Sequence, residues 1–334
     1  MNEVNAETWY SACTMCPRGC GINRYKRRGF CGEGADLRLA WAGLHFGEEP
    51  VLTKHGGSGA VFLTGCNLQC SFCQNYQISQ NGLGRAVGQD EFVEILLALQ
   101  AVGAENINIV TGTHQAILLA QYIATAKRAG LTLPIVWNTS GYESPAVIRL
   151  LADTVDIWLA DLKTISRKIA AEAFQAADYP EIAEAAIETM CRQTSIRFKN
   201  ENTAAENAND EIPQLISGVI VRHLALPGSL ADTYQLLRWF AQKLKHTALL
   251  SLMTQYTPVD ANTDTKKISS FENRLLSAHE DKALRRFLSE LDINDGFYQE
   301  LVPDYSWLPD FTRIQSFSSA LSKPIWHYTC GFIK

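Results

Sequence analysis

Three cysteines on one short segment are the residues of this chain best suited to chemistry. Cys66, Cys70 and Cys73 are spaced C-x₃-C-x₂-C within residues 65–75. An iron–sulfur cube normally takes four cysteine thiolates. A segment with three thiols, and no fourth cysteine close behind, leaves one iron free for an outside ligand, as in open catalytic metal sites. We therefore predict that these thiols hold a [4Fe-4S] cluster with one open iron site.

The residues around these cysteines indicate how they are positioned. Residues 59–65 are apolar and bounded by glycines, which is typical of a buried strand that leads into a loop. An aromatic residue, Phe72, stands directly before the third cysteine. The alternative is that three reduced thiols lie close together by chance, and their place at a strand-to-loop junction disfavours it.

A second group of cysteines lies near the N-terminus. Cys13, Cys16, Cys20 and Cys31 follow the spacing C-x₂-C-x₃-C-x₁₀-C, which supplies enough thiols to close a tetrahedral site. A zinc ion and a second iron–sulfur cluster are both chemically reasonable there, and four thiols without a metal are the remaining alternative. The same segment is basic, which indicates a solvated face or a docking surface for an acidic partner. Its basic residues are Arg18, Arg24, Lys26, Arg27 and Arg28.

Composition narrows the class of protein. The chain has 334 residues, of which 46% are hydrophobic and 19% charged, as in a soluble globular protein with ample core. A net charge of −5 argues against a surface that coats nucleic acid, and no apolar run is long enough to span a bilayer. No secretory signal is visible, so nine cysteines indicate metal or redox chemistry in a reducing compartment. We predict a cytoplasmic metalloprotein in which the isolated Cys191 and Cys330 are ordinary thiols.

Strand and helix patterns alternate after the cysteine loop. Apolar or β-branched runs predict strands at 107–110, 133–137, 156–161, 218–224 and 248–253. Helix patterns cover 115–130, 145–151 and 230–245, and the second begins with Ser144 as N-cap and Pro145 at the first helical position. Repeated units of this kind predict a parallel sheet with helices packed outside it. Ligands of such folds bind beyond the carboxyl ends of the strands.

The cysteine spacing together with Phe72 resembles the signature of the radical S-adenosylmethionine (SAM) enzymes, C-x₃-C-x-aromatic-C after a first strand. Motifs at the later strand ends resemble, in the same order, those of the subgroup that contains glycyl-radical activating enzymes, such as the activase of pyruvate formate-lyase. The N-terminal cysteines and the residues up to Pro50 are similar to a group often labelled as pyruvate formate-lyase activating enzymes on homology. The motifs lie at residues 111–114, 138–141, 159–163 and 222–228.

This resemblance implies an α/β fold and a division of the chain. We expect a partial (βα)₆ TIM-like radical SAM barrel at residues 51–260. A cysteine-rich N-terminal segment at 1–50 and a C-terminal extension at 261–334 would flank it. The resemblance also implies that SAM chelates the open iron of the cluster on Cys66, Cys70 and Cys73. Reductive cleavage would then give a 5′-deoxyadenosyl radical, which abstracts hydrogen from a substrate.

The resemblance further implies contacts to SAM. Phe72 is expected near the adenine, Asp161 and Lys163 at the carboxylate and ribose side, and His223 in contact with SAM from the fifth strand. The alternatives are a surface ion pair for Asp161 and Lys163 and a hydrogen-bonded core histidine for His223.

The sequence leaves three hypotheses for the function, and they differ in substrate and partners. A glycyl-radical activase would act on a backbone glycine of another protein, whereas other radical SAM enzymes modify peptides or small molecules. A non-catalytic iron–sulfur electron carrier or sensor is the third hypothesis, and it would need no SAM contacts. We expect flavodoxin or ferredoxin as electron donor, and neither nucleic acid nor membrane as partner.

Three expectations concern the remaining segments. Glu48 and Glu49 before Pro50 indicate a solvated turn. Residues 200–211, rich in Asn, Ala and Glu, indicate an exposed loop. A helix is predicted around 281–291, and the aromatic and proline-rich residues 305–311 are expected to pack on the barrel.

Overall fold

A computed structural model describes residues 6–199, 212–259, 268–293, 295–302 and 307–333, so the loop predicted at 200–211 lies outside the described residues. The strands are β1 Arg38–His45, β2 Ser58–Leu63, β3 Arg85–Ala86, β4 Ile107–Val110, β5 Ile135–Thr139, β6 Ile157–Asp161, β7 Arg197–Phe198, β8 Leu215–Leu224, β9 Leu249–Met253, β10 Gly296–Tyr298, β11 Ser322–His327 and β12 Gly331–Phe332. The helices are α1 Ala6–Tyr10, α2 Tyr76–Ser79, α3 Gln89–Ala101, α4 Ala116–Arg128, α5 Pro145–Leu150, α6 Arg167–Phe174, α7 Tyr179–Gln193, α8 Leu230–Lys243 and α9 Ala278–Glu290, with a 3₁₀ turn at Thr113–Gln115.

The sheet is built around parallel strands. Within the described residues, β2, β4, β5, β6, β8 and β9 pair in parallel in that order, and β10 adds to β9 in the same direction. Their residues are mostly apolar and buried, as is usual where both faces of a parallel sheet are covered. The helices α3 to α8 form the crossovers between these strands. The fold is therefore mixed α/β with a parallel-dominated sheet, arranged as the predicted partial TIM-like barrel.

The predicted positions of the elements agree closely with the structure. The strand predicted at 107–110 is β4, and the helix predicted at 230–245 is α8. The Ser144 side chain caps α5 by accepting a hydrogen bond from the Val147 amide at 3.3 Å. The side of α8 that carries the apolar residues packs into the core. Those buried residues are Leu236, Leu237, Phe240 and Leu244.

Beyond β2 the sheet continues with antiparallel strands that the sequence patterns did not indicate. Strand β1 pairs antiparallel with β2, and β11 pairs antiparallel with the other side of β1. The predicted C-terminal helix is α9, which begins with a capping box of Ser277 and Glu280. Strand β11 therefore lies beside β1, which separates it from the parallel strands. Of the residues 305–311 that were expected to pack on the barrel, 305 and 306 lie outside the described residues, and Phe311 packs against Phe62 of β2 with ring centroids 5.4 Å apart.

Two observations concern membranes and disulfides. No helix among the described residues is long and apolar enough to cross a membrane. All nine cysteines are described, and each is a free thiol.

Candidate functional site

The loop that carries the three predicted cluster ligands begins directly after β2. Gly65 opens it with a left-handed φ of +75°. A Cβ at this position would clash with the Glu33 side chain and would lie 2.5 Å from the Cys31 carbonyl oxygen, so only glycine fits without strain. Further along, the Ser71 amide donates a hydrogen bond of 2.9 Å to the Ala173 carbonyl. The loop is therefore held from two sides.

Cys66, Cys70 and Cys73 all line one cavity of about 380 Å³. The Leu68 amide donates to Cys66 Sγ at 3.3 Å, and Cys73 Sγ lies 3.3 Å from the Ser79 hydroxyl. The cavity lies at the carboxyl ends of the parallel strands, where α/β folds bind ligands. The polar strand-end residues that share it are Thr111, Asn138, Thr139, Ser140, Asp161, Lys163 and Arg222.

The three loop thiols fit a cluster better than a single ion. Among the described residues, no three His, Cys, Asp or Glu side chains are arranged to hold one metal ion. The ligands of a cube bind different irons, so their sulfurs need not meet at one point. Burial raises the pKa of Cys70 and of Cys73. These thiols are therefore protonated until a metal displaces the protons.

Asp161 and Lys163 form an ion pair on the wall of this cavity. Lys163 Nζ lies 2.5 Å from Asp161 Oδ2, and the two side chains are 20% and 21% exposed. Burial alone would lower the pKa of Lys163, but the nearby Asp161 carboxylate outweighs burial and raises it. The lysine therefore stays charged beside the cysteine loop, where a ligand anion would meet it.

Phe72 supplies an apolar wall to the same cavity. Its ring packs against three other aromatic rings, with centroid distances of 5.9 Å to Phe174, 5.8 Å to Tyr256 and 5.6 Å to Phe271. These contacts fix the orientation of the ring beside the cysteines. The structure therefore brings Phe72, Asp161 and Lys163 together with the predicted cluster ligands.

The structure does not bring His223 to the cavity. Its side chain is 1% exposed, with Nδ1 2.8 Å from the Leu162 carbonyl and Nε2 2.9 Å from the Thr233 hydroxyl. Burial lowers the pKa of this histidine, so the ring is neutral. The geometry is that of a hydrogen-bonded core histidine, and its direct contact with SAM stays a prediction. In the structure His223 anchors the backbone between Asp161 and Lys163.

Another wall of the cavity carries a hydroxyl without a partner. Ser140 lines the cavity, and its Oγ is buried with no hydrogen-bond partner among the described residues. Three residues later, the buried Glu143 accepts hydrogen bonds from Thr113 and Thr139 at 2.7 Å each and from Trp137 at 3.1 Å. Burial raises the pKa of Glu143. An unpaired buried hydroxyl costs free energy that a ligand would recover, so Ser140 fits a bound polar group.

The expectation of a solvated turn at Glu48 and Glu49 is wrong. Glu49 is buried and Glu48 is half-buried. Both are ion-paired with Arg222, whose Nε lies 2.7 Å from Glu49 Oε1 and whose Nη2 contacts both acids. Burial favours the neutral acid, but the Arg222 guanidinium outweighs it and lowers the pKa of Glu49. Sequence reasoning missed this cluster because its members are 173 residues apart. A strand-end arginine that needs an anionic partner was the available clue.

The four N-terminal cysteines lie near one another, and none of them lines the cavity. Cys13, Cys16 and Cys31 are buried, and Cys20 is half-buried. A Cβ at Gly29 would lie 3.6 Å from the sulfurs of both Cys20 and Cys31, so these two thiols flank one small space. Burial raises the pKa of Cys16 to about 12 and that of Cys31 to about 11. Among the described residues these four thiols, like the loop thiols, are not arranged to hold one metal ion, so a closed site for zinc or for a second cluster stays a prediction.

Comparison with known proteins agrees with this description. Residues 60–211 match the model of the radical SAM superfamily. The matched segment is slightly less than half of the chain and contains the loop cysteines, Asp161 and Lys163. An uncharacterized protein of Methanocaldococcus jannaschii is 26% identical over 286 residues, which cover 84% of this chain and 75% of that protein.

Several solved structures are similar in backbone shape. SuiB of Streptococcus suis bound to S-adenosylmethionine is 12% identical, with a TM-score of 0.47 over 70% of this chain and 48% of SuiB. A radical SAM methyltransferase from Sphaerobacter thermophilus is 16% identical, with a TM-score of 0.48 over 72% of this chain and 66% of that chain. The chain thus spans about half the length of SuiB.

Proposed function

We propose that the protein is an iron–sulfur enzyme that reductively cleaves SAM and abstracts a hydrogen atom from a substrate. The observation that carries this proposal is the shared cavity. Three loop thiols without a fourth cysteine on the loop open on the same space as the Asp161–Lys163 ion pair. When bound, the cluster supplies the electron that breaks a C–S bond of SAM, which gives methionine and a 5′-deoxyadenosyl radical.

The residues of the chain then have distinct tasks. The loop thiolates hold the cluster, and the charged Lys163 binds the methionine carboxylate of SAM. Asp161 keeps Lys163 charged and orders the ribose side, while Phe72 packs against the adenine. His223 acts as a positioning residue, because its hydrogen bond to Leu162 fixes the backbone that carries the ion pair.

Residues of the C-terminal part help to exclude water from the cavity. Trp307, Pro309, Phe317 and Leu321 line it, and Phe317 packs against Trp41 with ring centroids 5.4 Å apart. A dry site strengthens the ion pair and protects a reactive radical from side reactions. In this proposal the cysteine-rich segment is 1–50, the radical SAM core 51–260 and the covering extension 261–334.

The substrate that we propose is a backbone glycine of a partner protein, so that the enzyme acts as a cytoplasmic glycyl-radical activase. The support is the order of the strand-end motifs at 111–114, 138–141, 159–163 and 222–228, which resembles that subgroup. The test is to mix the reduced enzyme and SAM with a glycyl-radical enzyme encoded beside its gene. A carbon-centred radical on the partner supports the proposal. A turnover-competent enzyme that leaves such partners unmodified points to another peptide or a small molecule.

The reaction itself is tested without a substrate. Anaerobically reconstituted protein, given dithionite and SAM, should slowly release methionine and 5′-deoxyadenosine. Cys70→Ala should abolish this release, while Cys330→Ala, which alters an exposed thiol away from the cavity, should leave it unchanged. A full and reducible cluster that yields no 5′-deoxyadenosine would overturn the proposal. A non-catalytic electron carrier would then be the better description.

A further inference from the structure

A basic surface lies beside the four N-terminal cysteines. Tyr25, Lys26, Arg27 and Arg28 are all exposed, and Tyr25 is 56% exposed. Residues 1–31 carry five basic and two acidic side chains, although the chain as a whole has a net charge of −5. A positive patch on an acidic protein creates a local field that attracts an acidic partner. We call residues 25–28 the basic loop.

The basic loop is held in a fixed conformation. The amides of Lys26 and Arg27 both donate to the Asn23 carbonyl, at 3.1 Å and 3.0 Å. The preceding Arg24 is buried, with its guanidinium 4.3 Å from the centre of the Tyr10 ring and hydrogen-bonded to the backbone. Because the buried Arg24 anchors the loop to the core, the backbone that carries the three exposed basic side chains is ordered. Such a surface loses little conformational entropy when a partner binds.

The same segment connects the surface to the cluster loop. Cys20 and Cys31 flank the basic loop in sequence, and both sulfurs lie near Gly29. The Cys66 amide donates to the Cys31 carbonyl at 3.1 Å, and the Gln69 side chain donates to the Phe30 carbonyl at 2.6 Å. Direct hydrogen bonds therefore join the basic segment to the loop that holds the predicted cluster.

Arg18 strengthens this junction from the other side of the segment. Its guanidinium donates to the carbonyls of Asn67 at 2.9 Å and Phe174 at 2.7 Å, and it stacks 3.8 Å from the centre of the Phe30 ring. The N-terminal segment and the cluster loop are thus one packed unit. A protein that docks on the basic loop would come close to the cluster without entering the substrate cavity.

We propose that the basic loop is the docking surface for an acidic one-electron carrier of the flavodoxin type, and that electrons enter the enzyme there. On reduction, one electron leaves the reduced flavin, which is oxidised by one electron, and the cluster on the loop cysteines is reduced by one. No bond is made or broken in this step. The inference rests on the proposed function and adds to it where the partner binds.

The experiment compares two variants with the same change in net charge. Lys26→Glu, Arg27→Glu and Arg28→Glu together reverse the basic loop. The control variant replaces Arg167, Arg192 and Arg286 by Glu and so reverses three charges elsewhere. These arginines lie on α6, α7 and α9, and their side chains are 67%, 65% and 83% exposed. Binding of a flavodoxin to each reconstituted protein is measured by calorimetry at low and high salt. Reduction of the cluster by the flavodoxin hydroquinone is followed by absorption.

We expect the basic-loop variant to bind flavodoxin at least about tenfold more weakly than the control and to lose most of the salt dependence. Its reduction by flavodoxin should slow accordingly, while reduction by dithionite stays unchanged. If the basic-loop variant folds poorly, the triple alanine variant replaces it, with a smaller expected loss. Equal flavodoxin binding and equal reduction rates in variant and control would overturn the inference. Dithionite-driven cleavage of SAM, measured in the same samples, tests the proposed function separately.

Discussion

The loop of Cys66, Cys70 and Cys73 and the N-terminal segment 13–31 both concentrate thiols, but their surroundings differ. The loop follows a parallel strand and faces a cavity shared with charged strand-end residues. The N-terminal segment, all of which is described, has four thiols and contains no helix or strand. Three of its cysteines are buried, and none of the four lines the cavity.

The difference in surroundings shows what would separate a proposed open metal site from a proposed closed one. A fourth protein thiol completes the coordination of a metal, so a closed site is suited to structure or electron transfer. A missing thiol is useful only where a ligand can approach, and the carboxyl ends of the parallel strands supply that access here.

The largest effect concerns the loop cysteines. Replacing Cys66, Cys70 and Cys73 by alanine should remove the paramagnetic signal of the reduced [4Fe-4S] cluster, because these thiols are its proposed ligands. Metal bound by the N-terminal cysteines should remain in this variant. The measurement is low-temperature electron paramagnetic resonance together with iron and sulfide analysis. Full iron and sulfide after removal of both cysteine groups would show that the ligand assignment is wrong.

The reciprocal variant removes two N-terminal thiols. Cys16→Ala with Cys31→Ala should lose one zinc ion or one iron–sulfur cluster, since the remaining two thiols cannot close a site. The loop cluster should remain and should still support cleavage of SAM with dithionite. Metal analysis of the variant that lacks the loop cysteines identifies the metal. Finding neither zinc nor iron there, under anaerobic handling, would leave four thiols without a metal.

A smaller effect is expected for the ion pair at the cavity wall. Lys163→Met should remove the proposed charge-assisted hydrogen bond to SAM, worth roughly 1.5–3 kcal/mol. The affinity for SAM should therefore fall about 10–100-fold, while the absorption of the cluster stays intact. Lys168→Met, whose side chain is 66% exposed on α6, is the control. Unchanged SAM affinity in Lys163→Met would show that this ion pair has a purely structural role.

The contact between the two regions is tested at Gly65. Gly65→Ala should destabilise the protein by roughly 1–3 kcal/mol, because the left-handed φ and the clash with Glu33 both strain the loop. Denaturant unfolding measures the change. Gly88→Ala is the matched control, since a Cβ there meets no atom within 4 Å. Equal stability of the two variants would mean that the N-terminal segment does not pack tightly on the loop.

The smallest effect is the pH dependence at Glu143. Burial raises the pKa of this carboxyl in the folded protein, so its contribution to stability is present at low pH and is lost as the pH rises through the raised pKa. Glu143→Gln keeps a hydrogen-bond acceptor without the charge, so its melting temperature relative to the parent should be higher at pH 8 than at pH 5. The exposed Glu290→Gln should show no such trend. A parallel shift at both pH values would contradict the buried-acid interpretation.

Much of the barrel was predictable from the sequence because local patterns specify it. The β-branched run at 107–110 gave a strand in the expected place, and Ser144 with Pro145 marked the start of a helix. The three loop cysteines and their strand could be assigned together, since spacing and an adjacent apolar run are both local properties. Strand ends that follow one another in a parallel sheet meet at one edge, so Asp161 and Lys163 could be placed beside the cysteines.

Other features were decided only when distant segments packed together. Arg222 meets Glu48 and Glu49 across the barrel, which turned an apparently solvated turn into a buried ion cluster. Both ring nitrogens of His223 are hydrogen-bonded, one with Leu162 and the other with Thr233. Its position outside the cavity therefore could not be predicted from the neighbouring sequence. The junction between Cys31 and Cys66 is likewise a backbone contact between separate segments. Local propensity acts over a few residues, whereas burial and hydrogen-bond pairing depend on which surfaces the whole chain brings into contact.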